Sequence, residues 1–368
     1  MPLSRKKIKV GLIGVVTLGM VITLFVLERS STQQANIGIV TKDSLYVLNT
    51  CMPPRSDATP REEVRNDTET IFIGRSPCLT HNVSKLVNMP QCQAVVTSSA
   101  RKLIPIDVIP QTLEALEGIH GKRLELGGMY TPQGCAPVQR VAIVVPYRDR
   151  TSHLKIFLKN VHYFLKKQGI QYMIIVVEQA PGSRFNRGMS RNIGFVEGEK
   201  LCGFDCYVFH DIDLIPQVDA NAYICDDMPR FHSINLERWN HRIPPPVRFG
   251  GVVSFKPDVF RRVNGYSNMY FDWGGEDDDI YYRVRERGYH VVRYPMNASL
   301  YLDLTHPQSW INPSRFNYLR SGLDRMTTDG LNSLKYRRYL VDFRGLYTWI
   351  YAGIDEREVL QNVQQRQG

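Results

Sequence analysis

The chain has 368 residues, 43% of them hydrophobic and 22% charged, which is material for a substantial core and excludes wholesale disorder, a collagen-like fibre and a disulfide miniprotein. Lys and Arg exceed Asp and Glu by ten, yet four of those charges (Arg5, Lys6, Lys7, Lys9) fall in the first nine residues, leaving +6 for the rest. That mild surplus suits anionic small molecules such as phosphates and does not require nucleic acid as a partner.

Residues 1–9 read as a basic cytoplasmic tail. Val10 to Leu27 follows, eighteen uncharged residues closed by Glu28 and Arg29, long enough to cross a bilayer as a helix. The apolar run exceeds that of a signal peptide and lacks an Ala-x-Ala-like exit, so an uncleaved signal-anchor is expected. Positive charge ahead of the span keeps the N-terminus cytoplasmic and sends the body across the membrane, a single-pass type II layout. Three sequons, at Asn66, Asn82 and Asn297, and seven cysteines agree with an oxidising compartment where N-glycans and disulfides form. The absence of a Cys-x-x-Cys pair argues against a zinc ribbon.

Residues 28–76 are polar, hold Pro53, Pro54 and Pro60, and show no sustained period; they are assigned to a stem. A compact domain is expected over 77–355, then a polar tail over 356–368. Within the domain, the β-branched run Val141 to Val145 predicts a strand covered on both faces. Thr151 or Ser152 is expected to cap a helix whose Leu154, Phe157, Val161 and Leu165 share one stripe, stopped by Gly169. A strand at Tyr172 to Val177, a short helix around Met189 to Val196 and a strand from Cys206 to Ile215 follow. This β-α-β-α-β alternation predicts a parallel, doubly wound sheet that binds ligand at the carboxyl ends of its strands. Further on come a strand at Phe249 to Phe255, a short helix from Pro257 ended by Asn264-Gly265, a helix opened by Glu276 to Asp279 and stopped by Gly288, and a strand at Val291 to Tyr294.

The chemistry concentrates at few places. In extended chain, residues two apart share a face, so Asp211 and Asp213 of His-Asp-Ile-Asp are expected to project together from a strand end. Two such hard oxygen donors suit Mg²⁺ or Mn²⁺ on a diphosphate, a solvated turn being the competing reading. Glu276 to Asp279 suit a helix dipole as well as a site. Trp273, beside Gly274 and Gly275, offers either a flat face for a sugar ring or core filling. No GxxxxGK[ST], GxGxxG, HExxH or GxSxG motif occurs, so P-loop, dinucleotide-binding, zincin and serine-hydrolase readings lose their support.

Taken together, Pro146-Tyr-Arg-Asp-Arg150, Phe185-Asn-Arg187 with Asn192-Ile-Gly-Phe195, Phe209-His-Asp-Ile-Asp-Leu-Ile-Pro216, Phe249-Gly-Gly251, Asn264-Gly265, Trp273-Gly-Gly-Glu-Asp-Asp-Asp279 and Asp329-Gly-Leu-Asn-Ser333 resemble the ordered motif set of the β-1,4-galactosyltransferases. The resemblance spans roughly Cys92 to Ala352. It implies an α/β catalytic domain of GT-A type, a Rossmann-like, doubly wound mixed sheet, behind a transmembrane helix and stem. It also implies Golgi residence with a lumenal catalytic domain, a UDP-sugar donor, Mn²⁺ (with Mg²⁺ as a substitute), and inversion at the anomeric carbon.

Residue by residue, the resemblance implies that Pro146, Arg148, Arg150, Phe185 and Arg187 cradle the UDP, although these arginines are equally suited to solvated surface positions. Asp213 is implied as a metal ligand with His306, and Asp211 as a donor-sugar group, with Ile212, Gly251 and Trp273 lining the donor side. Asp277 is implied as the general base, flanked by Glu276 and Asp278, and the clustered carboxylates are expected to raise one another's pKa. Gly275 and Asp278 would face the acceptor. Arg315, Phe316 and Leu319 match an acetamide pocket for N-acetylglucosamine, or one turn of an amphipathic helix. The family pairs Cys92 with Cys135 and Cys206 with Cys225, leaving Cys51, Cys78 and Cys202 unassigned. Two positions depart from the pattern. Arg248 stands where galactose-transferring relatives have Tyr, and Asp303 replaces a Met three residues before His306, which makes it a candidate third ligand.

The expected activity is galactose transfer from UDP-galactose to the 4-hydroxyl of a terminal β-N-acetylglucosamine. The rival readings are N-acetylgalactosamine or N-acetylglucosamine transfer on the same scaffold, and a catalytically silent, membrane-anchored carbohydrate-binding protein.

Overall fold

The computed structural model describes residues 71–73, 89–93, 102–237, 240, 248–307 and 309–365, all in the second of the chain's two units, Ile37–Gly368. The expected span at 10–27, the sequons at Asn66 and Asn82, and most of the stem lie outside these residues. Among the described residues, no helix is long and apolar enough to cross a membrane.

The chain order begins with β1 (Ile71–Ile73), α1 (Leu113–His120), β2 (Arg140–Tyr147), α2 (Thr151–Leu165), β3 (Gln171–Gln179), α3 (Arg187–Leu201), β4 (Cys206–His210) and β5 (Leu214–Pro216). It continues with β6 (Arg230–Phe231), β7 (Asn235–Leu236), β8 (Val252–Phe255), α4 (Pro257–Arg262), α5 (Glu276–Glu286), β9 (Val292–Arg293) and β10 (Leu300–Asp303). It closes with α6 (Arg315–Arg320), α7 (Gly322–Arg325), β11 (Arg337–Phe343), β12 (Thr348–Gly353) and α8 (Glu356–Gln365). A nine-stranded sheet runs β1-β11-β12-β3-β2-β4-β8-β6-β9. Its centre, β12, β3, β2 and β4, is parallel, whereas β8 turns antiparallel to β4. The sheet is thus mixed, not purely parallel as the β-α-β alternation alone suggested.

Strand β2 shows why the centre is apolar on both faces. Ala142 and Val144 join the cluster that includes Met189 and Ile193 of α3, while Val141, Ile143 and Val145 join Phe157, Val161 and Leu165 of α2. Successive side chains point to opposite faces, so a continuous hydrophobic run is what a doubly covered strand requires. Helix α3 lies close to the sheet because Gly194 offers no side chain where a Cβ would meet Val144.

Several boundaries depart from expectation. Arg150 is the residue before α2, so Thr151 opens the helix instead of capping it. Helix α3 starts at Arg187, two residues before the expected Met189, because the Asn186 side chain caps it by accepting from the Met189 amide. The run Cys206 to Ile215 is not one strand, since it turns at Asp211 to Asp213 between β4 and β5. β1 pairs in parallel with β11 from within the assigned stem. The expected polar tail forms α8, whose Val359 and Val363 are buried.

A second, three-stranded sheet, β5-β10-β7, carries the part that matters for the site. Antiparallel pairing of β10 with β5 sets Asp303 beside Leu214, and the Leu304 amide donates to the Asp213 carbonyl at 2.8 Å. The chain leaving β10 is thereby brought back to the β4–β5 turn. The disulfides Cys92–Cys135 and Cys206–Cys225 are both present, and Cys202 is disulfide-bonded as well. Asn297 is exposed in a short 3₁₀ turn, Met296–Ala298.

Candidate active site

The site is assembled where β2, β3 and β4 end. From the end of β3, the Gln179 side-chain amide donates to the Arg184 carbonyl, while its oxygen accepts from the Asn186 amide at 2.7 Å. That pair of bonds fixes Phe185-Asn-Arg187 at the start of α3. Arg148, just past β2, donates to the Ser183 carbonyl at 2.8 Å and lies 5.1 Å from the Phe185 ring centroid. Pro146 is buried at the strand end, and Arg150 reaches the His306 imidazole at 3.1 Å.

Arg187 binds carboxylates from two separate motifs. Its guanidinium donates to Asp211 Oδ2 and Asp277 Oδ2 at 2.5 Å each and, through Nε, to Glu276 Oε1 at 2.7 Å. Arg191, one helical turn later and fully buried, donates to Asp211 Oδ1 at 2.7 Å and Asp277 Oδ1 at 3.0 Å. The sequence reading missed Arg191. Its spacing of four from Arg187 was the available signal, because residues i and i+4 share a helix face.

Helix α5 presents its acidic first turn at the positive end of its dipole, which favours ionised carboxylates there. Gly275 precedes it at φ 99° with Tyr270 against the spot a Cβ would fill, so glycine is required at this helix start. Gly250 is similarly constrained, since a Cβ there would overlap the Asp277 carboxylate. Gly251 accepts from the Asp211 amide through its carbonyl at 3.0 Å, which ties Phe249-Gly-Gly251 to the β4–β5 turn.

Burial would raise Asp277, but Arg187 and Arg191 outweigh it and hold the carboxyl below its ordinary range. This corrects the expectation that the clustered acids raise the base. Burial does raise Glu276 and Asp211 despite the same arginines, and burial with the neighbouring Asp277 charge raises Asp278. Arg248 is exposed, and its charge acts on both Asp277 and Asp278. Asp279 takes no part, because it pairs with buried Arg283 and accepts from the Tyr270 hydroxyl.

Asp211 and Asp213 do not project together. The turn sends Asp211 to the arginines, leaves Ile212 buried between, and aims Asp213 at His306, with Oδ2 and Nε2 3.0 Å apart. The hydrogen bond to Asp213 raises the His306 pKa. Both side chains keep some exposed surface. A hard carboxylate oxygen and an imidazole nitrogen suit a divalent cation. Among the described residues, no group of three His, Cys, Asp or Glu side chains is placed to hold a metal ion. Asp303 is still held in β10, whereas His306 lies three residues beyond it in the chain that turns back to Asp213.

On the other side of α5, Trp273 is 46% exposed, which removes the core-filling alternative. Its amide and carbonyl bond to Trp310 and Asn312. The Arg315 guanidinium sits 5.9 Å from the Trp273 ring and 4.3 Å from that of Phe316. Phe316 is exposed and Leu319 half-buried on the short helix α6. The remaining motifs bind one another: Asn264 donates to the Asn332 side chain and Asp329 accepts from Ser267 and the Asn268 amide.

A profile described as the N-terminal region of glycosyl transferase group 7 matches residues 92–226, and one described as the N-terminal domain of galactosyltransferase matches residues 230–307. Beta-1,4-galactosyltransferase 3 of Rattus norvegicus is 39% identical over 250 residues, covering 67% of this chain and 63% of that protein. Beta-1,4-galactosyltransferase 4 of Homo sapiens is 33% identical over 294 residues, covering 78% and 84% respectively. The chain thus spans about 63% of the length of the galactosyltransferase 3 proteins it matches. Among solved structures, the catalytic domain of Drosophila β1,4-galactosyltransferase 7 in complex with xylobiose matches with a TM-score of 0.53 at 26% identity, over 61% of this chain and 99% of that one. A mutant of the same enzyme, in complex with manganese, UDP-Gal and xylobiose, matches with a TM-score of 0.51 and the same identity and coverage. Motif order, mixed α/β fold and sequence similarity therefore agree that this chain belongs to the β-1,4-galactosyltransferase family of glycosyl transferase group 7.

Proposed function

We propose that the protein is an inverting, metal-dependent galactosyltransferase that moves galactose from UDP-galactose to the 4-hydroxyl of a terminal β-N-acetylglucosamine. The observation that carries this reading is the joining of Asp211 and Asp277, one from each half of the site, through Arg187 and Arg191. Binding a carbohydrate needs no such base. The Drosophila relative, solved with manganese, UDP-Gal and xylobiose, supports a nucleotide-sugar donor and a sugar acceptor here.

Inversion needs one base and one in-line attack. Asp277, ionised at neutral pH, takes the proton of the attacking hydroxyl as the new glycosidic bond forms and the bond from sugar to diphosphate breaks. Asp213 and His306 are the residues that would hold Mn²⁺, with Mg²⁺ as a substitute. When bound, the cation neutralises charge on the departing diphosphate. Arg148, Arg150 and Phe185 are placed to receive the nucleotide, and Arg187 its anionic part. Trp273 covers the donor sugar, and Arg315, Phe316 and Leu319 form the acceptor side, with Asp278 and Gly275 between. Glu276 steadies Arg187. Arg248 faces the acids from the donor side, where a long side chain narrows the space beside the sugar's second carbon.

In the same proposal the protein sits in the Golgi membrane, as the family's layout implies, held by a signal-anchor at Val10 to Leu27 with the catalytic domain lumenal. The exposed sequon at Asn297 supports that orientation. The test is to incubate the full chain with Mn²⁺, UDP-galactose, UDP-N-acetylgalactosamine or UDP-N-acetylglucosamine and a β-N-acetylglucosaminide, and to determine the linkage formed. A β-1,4-galactosyl product is expected. Preference for an N-acetylated donor moves the assignment to that transferase, and no turnover leaves a carbohydrate-binding protein.

A further inference from the structure

The two arginines beneath Asp277 differ in one respect. Arg187 keeps 23% of its side-chain surface, while Arg191 keeps none. The Arg191 guanidinium lies 4.9 Å from the Tyr266 ring centroid, and its Nε is buried without a hydrogen-bond partner. Desolvating a guanidinium costs several kcal/mol, and on the same helix Met189 and Ile193 show that apolar residues fill buried positions there. An arginine sealed at this depth is therefore kept for what it bridges. It spans Asp211 and Asp277 with its two terminal nitrogens.

We propose that the two residues divide the work of the site: Arg191 is a permanent strut that positions Asp277 against Asp211, and Arg187 is the exchangeable cation that leaves these acids for the anionic donor. This rests on the reading of Asp277 as the general base. The oxygens of Asp277 are divided accordingly, Oδ1 bound to sealed Arg191 and Oδ2 to accessible Arg187. Departure of Arg187 leaves Oδ2 open to a hydroxyl proton, while the Oδ1 bond prevents the carboxylate from rotating. Lysine is no equivalent at position 191, because an ammonium is a point charge without the planar fork that bridges two carboxylates.

The groups that face Asp277 are Arg187 and Arg191 from α3, Glu276 and Asp278 from its own helix, Asp211 from the β4–β5 turn, Arg248 ahead of β8, and Tyr266 beyond α4. Of the three cations, Arg248 is exposed and Arg187 partly so. Arg191 is the one that a bound donor has no means of drawing away.

The test compares full-length wild type with R191M, R191K and R187M by thermal melting, by UDP affinity in Mn²⁺, and by kcat and KM for UDP-galactose from pH 4 to 8. R191M is expected to bind UDP within about threefold of wild type yet lose about 10²-fold in kcat, as loss of a working base does, with its acid limb moved to higher pH. R191K is expected to fall between R191M and wild type. R187M is expected to lose UDP affinity and raise donor KM by about tenfold, in proportion to one lost charge-assisted contact. Folded R191M with kcat within about twofold of wild type overturns the proposal, as does a larger loss of UDP affinity in R191M than in R187M. If R191M does not fold, R191K decides, because wild-type kcat and pH profile in that variant show the bridge to be dispensable. A wild type that transfers no galactose rejects the assigned activity, while the UDP affinities of R187M and R191M still test the division of labour.

Discussion

Two arginine–carboxylate clusters meet at the first turn of α5, on different sides of the helix. Toward the sheet, Glu276, Asp277 and Asp211 engage Arg187 and Arg191, and Asp277, Arg187 and Asp211 keep 27%, 23% and 14% of their side-chain surface. Away from it, Asp279 engages Arg283, which also meets Asp329, and none of these three side chains keeps more than 1%. The residue types are the same. A sealed network can only hold elements together, here α5 to the 329–333 segment, because exchanging a partner would strand an uncompensated charge. An accessible network can exchange a partner for a ligand, and this marks the first cluster as the working one.

The largest expected effect falls on the accessible side. Asp277→Asn should lower kcat by roughly 10²- to 10⁴-fold while the melting temperature and UDP binding in Mn²⁺ stay near wild type. Near-normal turnover in this variant would remove Asp277 from the role of base and erase the distinction between the clusters. Arg283→Met should act in the opposite way. Leaving Asp279 buried without its cation, and Asp329 with Arg325 alone, should cost about 3–5 kcal/mol of stability by denaturant titration, with kcat per folded molecule nearly unchanged.

Acid sharpens the contrast from beneath the site. His210 on β4, bonded to the Tyr223 hydroxyl, is pushed by burial to about 4, and His162 on α2 to about 3. A histidine whose pKa is depressed in the folded state binds its proton more readily when unfolded, so the stability tied to its neutral form is complete above pH ~6.5 and is lost as pH falls through that value toward the folded one. Unfolding free energies from denaturant titration should therefore drop between pH 6.5 and 4, by on the order of 2–3 kcal/mol for His210. His210→Gln, which cannot ionise, should flatten that segment of the curve, and an unaltered slope would place the proton uptake elsewhere.

The smallest effect is expected at the exposed rim. Arg248→Ala should raise the use of UDP-N-acetylgalactosamine relative to UDP-galactose by about 10-fold, the value of relieving a modest steric contact. An unchanged donor ratio would mean that Arg248 points away from the donor.

The double-sided burial of β2, the stripe on α2 and the stop at Gly288 were all legible from local patterning, as was the order of motifs that marks the family. Less legible were features set by contacts distant in sequence. The Asp-x-Asp run reads as a strand end whose aspartates share a face; a turn instead divides them between Arg187 and His306. Arg191 reads as one more polar residue on a helix, and only the arrival of Asp211 and Asp277 explains its burial. The acids of α5 by themselves raise one another, but two arginines from α3 reverse that for Asp277. The stretch from residue 356 is polar in composition, yet Val359 and Val363 give it one apolar edge and the domain covers it.

By itself the sequence determined what is periodic or local: apolar faces, helix stops, the charged start before an uncharged run, and the residue types available at each motif. Tertiary structure alone decided which of the four acids of Glu276 to Asp279 meets a cation that can exchange and which meets one that is sealed. The physical reason is that charge and burial act through space. A carboxylate's ionisation and access depend on groups brought within a few ångströms by the fold, and Arg187 and Arg191, which hold Asp277, lie more than eighty residues away along the chain.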